Sequence, residues 1–113
     1  MKYMSLWRPT VEPTGAPSQE EMGAMGKLIE ELMKEGVLVA TDGLQSSAKG
    51  VIVRQTKGKI TMTDGPFAET KELVAGYAIF NVKSKEHLLE LTKRFLKVVG
   101  KDGVCEIRAM YEG

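Results

Sequence analysis

Ten residues in the middle of the chain combine a turn, an aromatic side chain and several charges. They run Thr63-Asp64-Gly65-Pro66-Phe67-Ala68-Glu69-Thr70-Lys71-Glu72 and are called the motif segment. Asp64, Glu69 and Glu72 are candidate general bases, since burial would raise the pKa of a carboxyl group toward neutral. Asp64 and Glu69 are also expected at the mouth of a binding pocket, held there by a rigid loop. The alternative is structural, because Asp-Gly-Pro forms a turn by itself and Phe67 can anchor it by burial.

Glu106 and Arg108 lie two residues apart in the last predicted strand, so their side chains share one side of a sheet. Arg108 is a candidate for binding a carboxylate or phosphate, because a guanidinium forms paired hydrogen bonds with oxyanions. The alternative is an ordinary ion pair within the sheet, with Lys71 or Glu72 as the partner. Both interpretations place Arg108 on a sheet face that no helix covers.

Composition excludes several classes of protein. The 113 residues include 16 basic and 15 acidic side chains, a net charge of +1, which argues against a dedicated nucleic-acid binder. Cys105 and His87 are the single cysteine and histidine, so neither an intrachain disulfide nor a Cys/His zinc site is predicted. No segment has the ~18 consecutive apolar residues of a membrane span. We expect a single cytoplasmic domain over residues 1–113, without metal or cofactor.

The apolar pattern predicts the order strand, helix, strand, hairpin, strand, helix, strand. Ser18 and Glu21 form a capping-box pattern at the start of the first helix, and Ser84 begins the second. The segment 37–40 is apolar on both sides and is expected to be a central strand. Lys57-Gly58 predicts the hairpin turn. This order indicates an α+β, ferredoxin-like split βαβ sandwich, with an antiparallel sheet and two helices on one face.

The first predicted strand alternates between two kinds of side chain. We expect Met4 and Leu6 to face the helices, which leaves Tyr3, Ser5 and Trp7 on the uncovered side. Aromatic side chains and paired charges on that side predict a cleft, or a dimer interface that encloses one.

Several short stretches carry a family resemblance. They are Met1-Lys2-Tyr3-Met4, Glu35-Gly36-Val37-Leu38, Gly43-Leu44-Gln45, the motif segment, Gly76-Tyr77 and Glu106-Ile107-Arg108. On these residues the chain resembles the DGPF-domain family, also called YCII-related proteins, which are mostly uncharacterised bacterial proteins. The resemblance implies a ferredoxin-like fold that pairs as a dimeric α/β barrel, with a cleft between sheet and partner. Related proteins are proposed to use a His–Asp pair there, whereas His87 is predicted on the second helix and is not expected to be catalytic.

We therefore expect a homodimer that binds a small molecule, with regulation as one use of such binding. The residues expected to line the cleft are Tyr3, Trp7, Asp64, Phe67, Tyr77 and Arg108. Two alternatives stay open: a small acid–base enzyme that uses a carboxylate of residues 64–72, and a structural dimerisation module. No nucleic acid or membrane is expected as a partner.

Overall fold

The computed structural model describes residues 1–13 and 15–112, apart from the side chain of Thr70. These residues form six strands and two helices. In chain order they are β1 (Lys2–Pro9), α1 (Gln19–Lys34), β2 (Leu38–Gly43), β3 (Val51–Thr56), β4 (Lys59–Asp64), β5 (Gly76–Asn81), α2 (Lys85–Val99) and β6 (Gly103–Ala109). Short 3-10 turns lie at Ser47–Lys49 and Thr70–Glu72.

Four of the strands form one antiparallel sheet in the order β2-β5-β1-β6, while β3 and β4 pair only with each other. Both helices contribute to a core on one side of this sheet. The arrangement is a ferredoxin-like α+β sandwich with a hairpin inserted between its second and third strands, so the predicted fold class is confirmed. The hairpin, residues 51–64, is called the arm, and the side of the sheet without helices is called the open face.

Both helices begin where their capping residues predict. The Ser18 hydroxyl accepts from the Glu21 N–H at 3.1 Å, and the Glu21 carboxylate accepts from the Ser18 N–H at 3.2 Å. The Ser84 hydroxyl accepts from the His87 N–H at 3.1 Å. Gly100 ends α2 with a φ of +61°, a left-handed conformation that glycine adopts without strain.

The helix-facing side of β1 carries Tyr3, Ser5 and Trp7, so the predicted orientation of this strand is wrong. Tyr3 packs against the core, and Trp7 meets Phe95 of α2 edge-to-face with ring centroids 5.6 Å apart. Gly103 makes room for the indole, because a Cβ atom at that position would lie 2.4 Å from the Trp7 ring. The bulky ring therefore fits on the helix side, between Phe95 and the space left by Gly103.

The second strand lies at an edge of the sheet rather than in its centre. Leu38 is buried, but Val39 is 47% exposed at a point where the pairing with β5 shifts register. The strand also continues to Gly43, beyond its predicted end. Conversely, β5 begins at Gly76, and the buried Leu73 precedes it as part of a connecting segment. The apolar runs thus located the buried residues Leu38 and Leu73 without indicating the position or the limits of the strands.

Candidate functional site on the open sheet face

The open face displays the strand positions that alternate with the helix-facing ones. Its central members, from β2 to β6, are Asp42, Ile79, Tyr77, Met4, Leu6, Arg8, Glu106 and Arg108. In the middle of the face, Tyr77 and Glu106 lie directly beside Leu6 on the two neighbouring strands. Polar groups therefore stand on both sides of an apolar floor formed by Leu6 and Met4, which are half-buried in the isolated chain.

Tyr77 and Asp42 form the polar pair at one side of this floor. The Tyr77 hydroxyl donates to Asp42 Oδ2 at 2.9 Å, and the Thr41 hydroxyl donates to the Tyr77 carbonyl oxygen at 2.8 Å. The hydrogen bond to Asp42 raises the pKa of the Tyr77 hydroxyl, and the carboxylate charge adds to this effect. Tyr77 keeps its proton and directs its O–H at Asp42, which leaves the phenol oxygen able to accept a hydrogen bond from a ligand.

Three charged side chains, Arg8, Glu106 and Arg108, stand at the other side and are called the ion cluster. Arg8 Nε lies 3.4 Å from Glu106 Oε1, and Arg108 Nη1 lies 3.2 Å from Glu106 Oε2. Arg8 is 24% exposed, whereas the Arg108 side chain is 74% exposed. Two guanidinium groups share one carboxylate, so the cluster carries an excess positive charge. Most Arg108 donors point to solvent and can reach an oxyanion.

The second half of the motif segment is bonded to this cluster. The Arg8 guanidinium donates to the Lys71 carbonyl oxygen, which ties β1 to the 3-10 turn at Thr70–Glu72. In the same turn, Glu72 pairs with Arg54 of the arm at 2.8 Å. The Lys71 carbonyl oxygen and the Glu72 carboxylate therefore connect the turn to the open face and to the arm. Glu72 thus has a structural partner in Arg54.

A shallow cavity of about 250 Å³ adjoins the ion cluster. Its lining consists of Arg8, Pro9, Thr10, Lys71 and Val104. Arg8 and Lys71 bring positive charge to this cavity, while Pro9 and Val104 provide apolar walls. The cavity is slightly smaller than the ~300 Å³ lower limit usual for drug-sized ligands, and its size suits a small anion or the anionic end of a larger molecule.

The first half of the motif segment packs against the preceding loop. A Cβ atom on Gly65 would lie 1.6 Å from the Ser47 carbonyl oxygen, so only glycine fits there. The Phe67 N–H donates to the Ser47 hydroxyl at 3.1 Å, and the Phe67 ring lies over Gly50. Phe67 is half-buried, as an anchoring side chain should be. The structural interpretation of Asp64-Gly65-Pro66-Phe67 is thus the one that these contacts support.

Glu12 secures the same loop from the β1–α1 connection. Its carboxylate accepts from both the Ser47 N–H and the Ser47 hydroxyl, the latter at 2.7 Å. The backbone hydrogen bond from Ser47, followed by that from its hydroxyl, lowers the pKa of Glu12. Nothing in the sequence marked Glu12, because its partner lies 35 residues away.

The structure separates the predicted ligand-binding residues into three groups. Tyr77 and Arg108 lie on the open face as expected. Tyr3 and Trp7 lie on the other side of the sheet, and the prediction that they line the cleft is wrong because β1 has the opposite orientation.

Asp64 and Phe67 belong to the inserted segment rather than to the sheet. Asp64 is exposed at the end of β4, opposite Val51, and Phe67 contacts the 44–50 loop. Asp42 was not among the sequence-predicted site residues, and Arg8 was not assigned to the open face. Arg8 alternates with Met4 and Leu6, so the correct side of β1 would have revealed it.

Other kinds of site have less support. Within residues 1–13 and 15–112, no group of three or more His, Cys, Asp or Glu side chains is placed to hold a metal ion. His87 lies on α2, across the sheet from the open face. No helix in the described part of the chain has the length and apolar character needed to cross a bilayer.

The fold and the face define a class of protein: ferredoxin-like α+β domains whose uncovered sheet side carries polar groups around an apolar floor. Within that class, the chain belongs to the YCII-related domain family, whose model matches residues 1–112. An uncharacterised protein of Rhizobium meliloti (strain 1021) is 25% identical over 97% of this chain and 92% of its own length. The predicted family is confirmed.

A solved structure supports the fold. The 5-chloro-2-hydroxyhydroquinone dehydrochlorinase of Burkholderia phenoliruptrix AC1100, in complex with 2,5-dihydroxybenzoquinone, superimposes with a TM-score of 0.52. The likeness covers 100% of this chain and 96% of that one, at 10% sequence identity. At this identity the likeness establishes a common fold and no common reaction.

Proposed function

We propose that this chain is a dimeric small-molecule-binding domain whose ligand lies on the open face. One observation carries the proposal. The Tyr77–Asp42 pair and the ion cluster flank the same apolar floor, so the face offers acceptors at one end and a positive charge at the other. A plain solvated sheet face has no need of an apolar floor between two organised polar groups.

The chemistry of the two ends indicates the class of ligand. Arg108 uses one donor on Glu106 and has further donors for a carboxylate or phosphate. The phenol oxygen of Tyr77 and the carboxylate of Asp42 accept hydrogen bonds from a hydroxyl or amino group. A small organic acid or phosphate ester with a hydroxyl at its far end meets both requirements.

The cavity beside Arg8 and Lys71 extends the cationic end of the face. An oxyanion held there lies next to two basic side chains and against the apolar surface of Val104. This position suits the charged end of the ligand, while its body lies over Leu6.

A second copy of the chain is the cover that such a site requires. Binding pockets enclose most of a ligand's surface, about 70–90% for drug-sized molecules, whereas a single sheet face leaves one side in water. The dehydrochlorinase complex is relevant as a protein of the same fold that holds a small oxygenated ring. Its activity is not proposed for this chain.

The acid–base enzyme is the less favoured alternative. A general base taken from the motif segment would have to reach a bound substrate in a site shielded from water. Asp64 and Glu69 are exposed, and Glu72 is paired with Arg54. A regulatory role fits a binding domain of this kind and depends on identifying its ligand.

A ligand screen tests the proposal. Hydroxylated organic acids and phosphate esters would be screened by thermal shift, and hits measured by calorimetry on the wild type, Arg108→Ala and Tyr77→Phe. We expect Arg108→Ala to weaken binding at least about tenfold, the equivalent of ~1.4 kcal/mol. Arg94→Ala is the matched control, because Arg94 pairs with Glu31 and Glu35 on the helix side.

Equal binding by all variants would place the ligand elsewhere and overturn the site. If Arg108→Ala instead yields monomers, the structural dimerisation module becomes the better interpretation. Sedimentation of each variant separates these outcomes.

A further inference from the structure

The arm presents a continuous apolar surface to solvent. Val51, Val53, Ile60 and Met62 are 51%, 59%, 62% and 74% exposed. Val53 lies directly opposite Met62, Gln55 lies opposite Ile60, and Val51 lies opposite Asp64. Directly opposed residues and residues two apart share a side of a hairpin, so all four apolar side chains form one surface. This surface is called the arm stripe.

The other side of the arm is attached to the rest of the chain. Arg54, which lies on that side, pairs with Glu72 at 2.8 Å, and its neighbour Ile52 is half-buried. The arm stripe therefore faces away from its own body. A two-stranded hairpin with an uncovered apolar side is only marginally stable in water, so the stripe needs a cover.

The arm stands beside the open face. Glu72 fixes it to the 3-10 turn at Thr70–Glu72, and the carbonyl of Lys71 in that turn is bound to Arg8 on the open face. The radius of gyration is 15.6 Å, against about 13 Å for a compact domain of this length, as expected when an arm projects. Two uncovered apolar surfaces, the arm stripe and the open face, are thus linked through this turn.

We propose that the arm of each protomer lies across the open face of its partner, so that the arm stripe closes the ligand site from above. We expect a second copy of the chain to cover both surfaces, because of the area that a stable interface needs. A stable interface takes about 800 Å² from each partner, whereas contiguous surface patches of monomers reach only about 300–600 Å². A symmetric pair of copies covers the arm stripe and the open face of both protomers at once.

The inference rests on the dimer of the proposed function and adds the residues that the partner contributes. Val53 and Met62, at the centre of the arm stripe, meet the floor formed by Leu6 and Met4. Apolar side chains then line the site from both protomers, and the polar ends remain at its rim. The site is incomplete in a single chain.

Sedimentation velocity over a concentration series tests the arm. Met62→Glu places a charge in the centre of the arm stripe, and Thr61→Glu places the same charge on the opposite side of the same strand. We expect Met62→Glu to raise the dimer dissociation constant at least about tenfold, and Thr61→Glu to leave it near the wild-type value. Circular dichroism of each variant verifies that it is folded.

Crosslinking supplies a second measurement that does not depend on stability. In a Cys105→Ser background, a Met62→Cys copy mixed with a Leu6→Cys copy should form a covalent heterodimer on oxidation, and a Thr61→Cys copy should not. A wild-type monomer would overturn both the dimer and the arm. A dimer unaffected by Met62→Glu and without the crosslink would overturn the arm alone. Failure of the Arg108→Ala binding test, with the arm result as expected, would overturn only the ligand site.

Discussion

Glu12 holds Ser47 through both of its carboxylate oxygens, one on the Ser47 N–H and one on its hydroxyl. The Ser47 hydroxyl in turn accepts a hydrogen bond from the Phe67 N–H, and the Ser47 carbonyl oxygen packs against Gly65. A residue of the β1–α1 connection therefore secures the turn of the motif segment, far from it in sequence. The loops at this end of the sheet form one hydrogen-bonded unit.

Replacing Glu12 by Gln should destabilise the protein in a pH-dependent way. The folded-state pKa of Glu12 lies below its ordinary value of 4.5, so its contribution is complete above that value and is lost as the pH falls through the folded-state pKa. Urea unfolding at neutral pH should show a lower midpoint for Glu12→Gln, and the difference should disappear in strong acid. Glu90→Gln, an exposed change on α2, is the control; a constant difference at every pH would contradict the assignment.

Gly65→Ala should strongly destabilise the fold. The new Cβ atom would lie 1.6 Å from a backbone oxygen, so the motif segment must move away from Ser47. We expect a loss of more than about 2 kcal/mol in the free energy of unfolding, measured with denaturant. Gly23→Ala is the matched control, since its Cβ atom meets nothing within 4 Å and helix propensity predicts a gain of up to ~1 kcal/mol. Similar effects of the two changes would contradict the packing.

Trp7→Ala should cost stability as a core truncation. Trp7 is 9% exposed and contacts the ring of Phe95, so about 3–5 kcal/mol should be lost. Tyr111→Ala removes an aromatic side chain that is fully exposed and should have little effect. The milder Trp7→Phe should retain binding of any ligand found in the screen. Loss of ligand binding without loss of stability would indicate that Trp7 contacts the ligand and would contradict its assignment to the core.

The Tyr77 hydroxyl should ionise at a higher pH than that of a free tyrosine. Its hydroxyl donates to Asp42, and this bond raises the pKa of the phenol in the folded protein. The stabilisation is therefore present below the ordinary value of 10.0 and is lost as the pH rises through the higher folded-state pKa. Ultraviolet titration of the wild type should show a transition at raised pH that is absent in Tyr77→Phe and shifted to lower pH in Asp42→Asn. An unchanged titration in Asp42→Asn would show that the bond is not formed.

The sequence by itself determined the local structure and the fold class. Capping serines, glycine ends and apolar stripes act within a few residues, so Ser18, Ser84 and the Lys57-Gly58 turn could be assigned without knowing their surroundings. The motif segment indicated the family, and its turn chemistry indicated a rigid loop. These inferences depend on short-range steric and hydrogen-bonding preferences.

Only the tertiary structure decided which residues share the open face. Both sides of β1 carry large apolar side chains, so alternation defined two sets without saying which set faces the helices. The space beside Gly103 and the ring of Phe95 accommodate Trp7 on the helix side. Because side chains alternate along the strand, Arg8 then lies on the open face. The contacts of Arg8 with Glu106 and with the Lys71 carbonyl join segments far apart in sequence. These contacts depend on long-range packing, which the alternation pattern of a single strand does not encode.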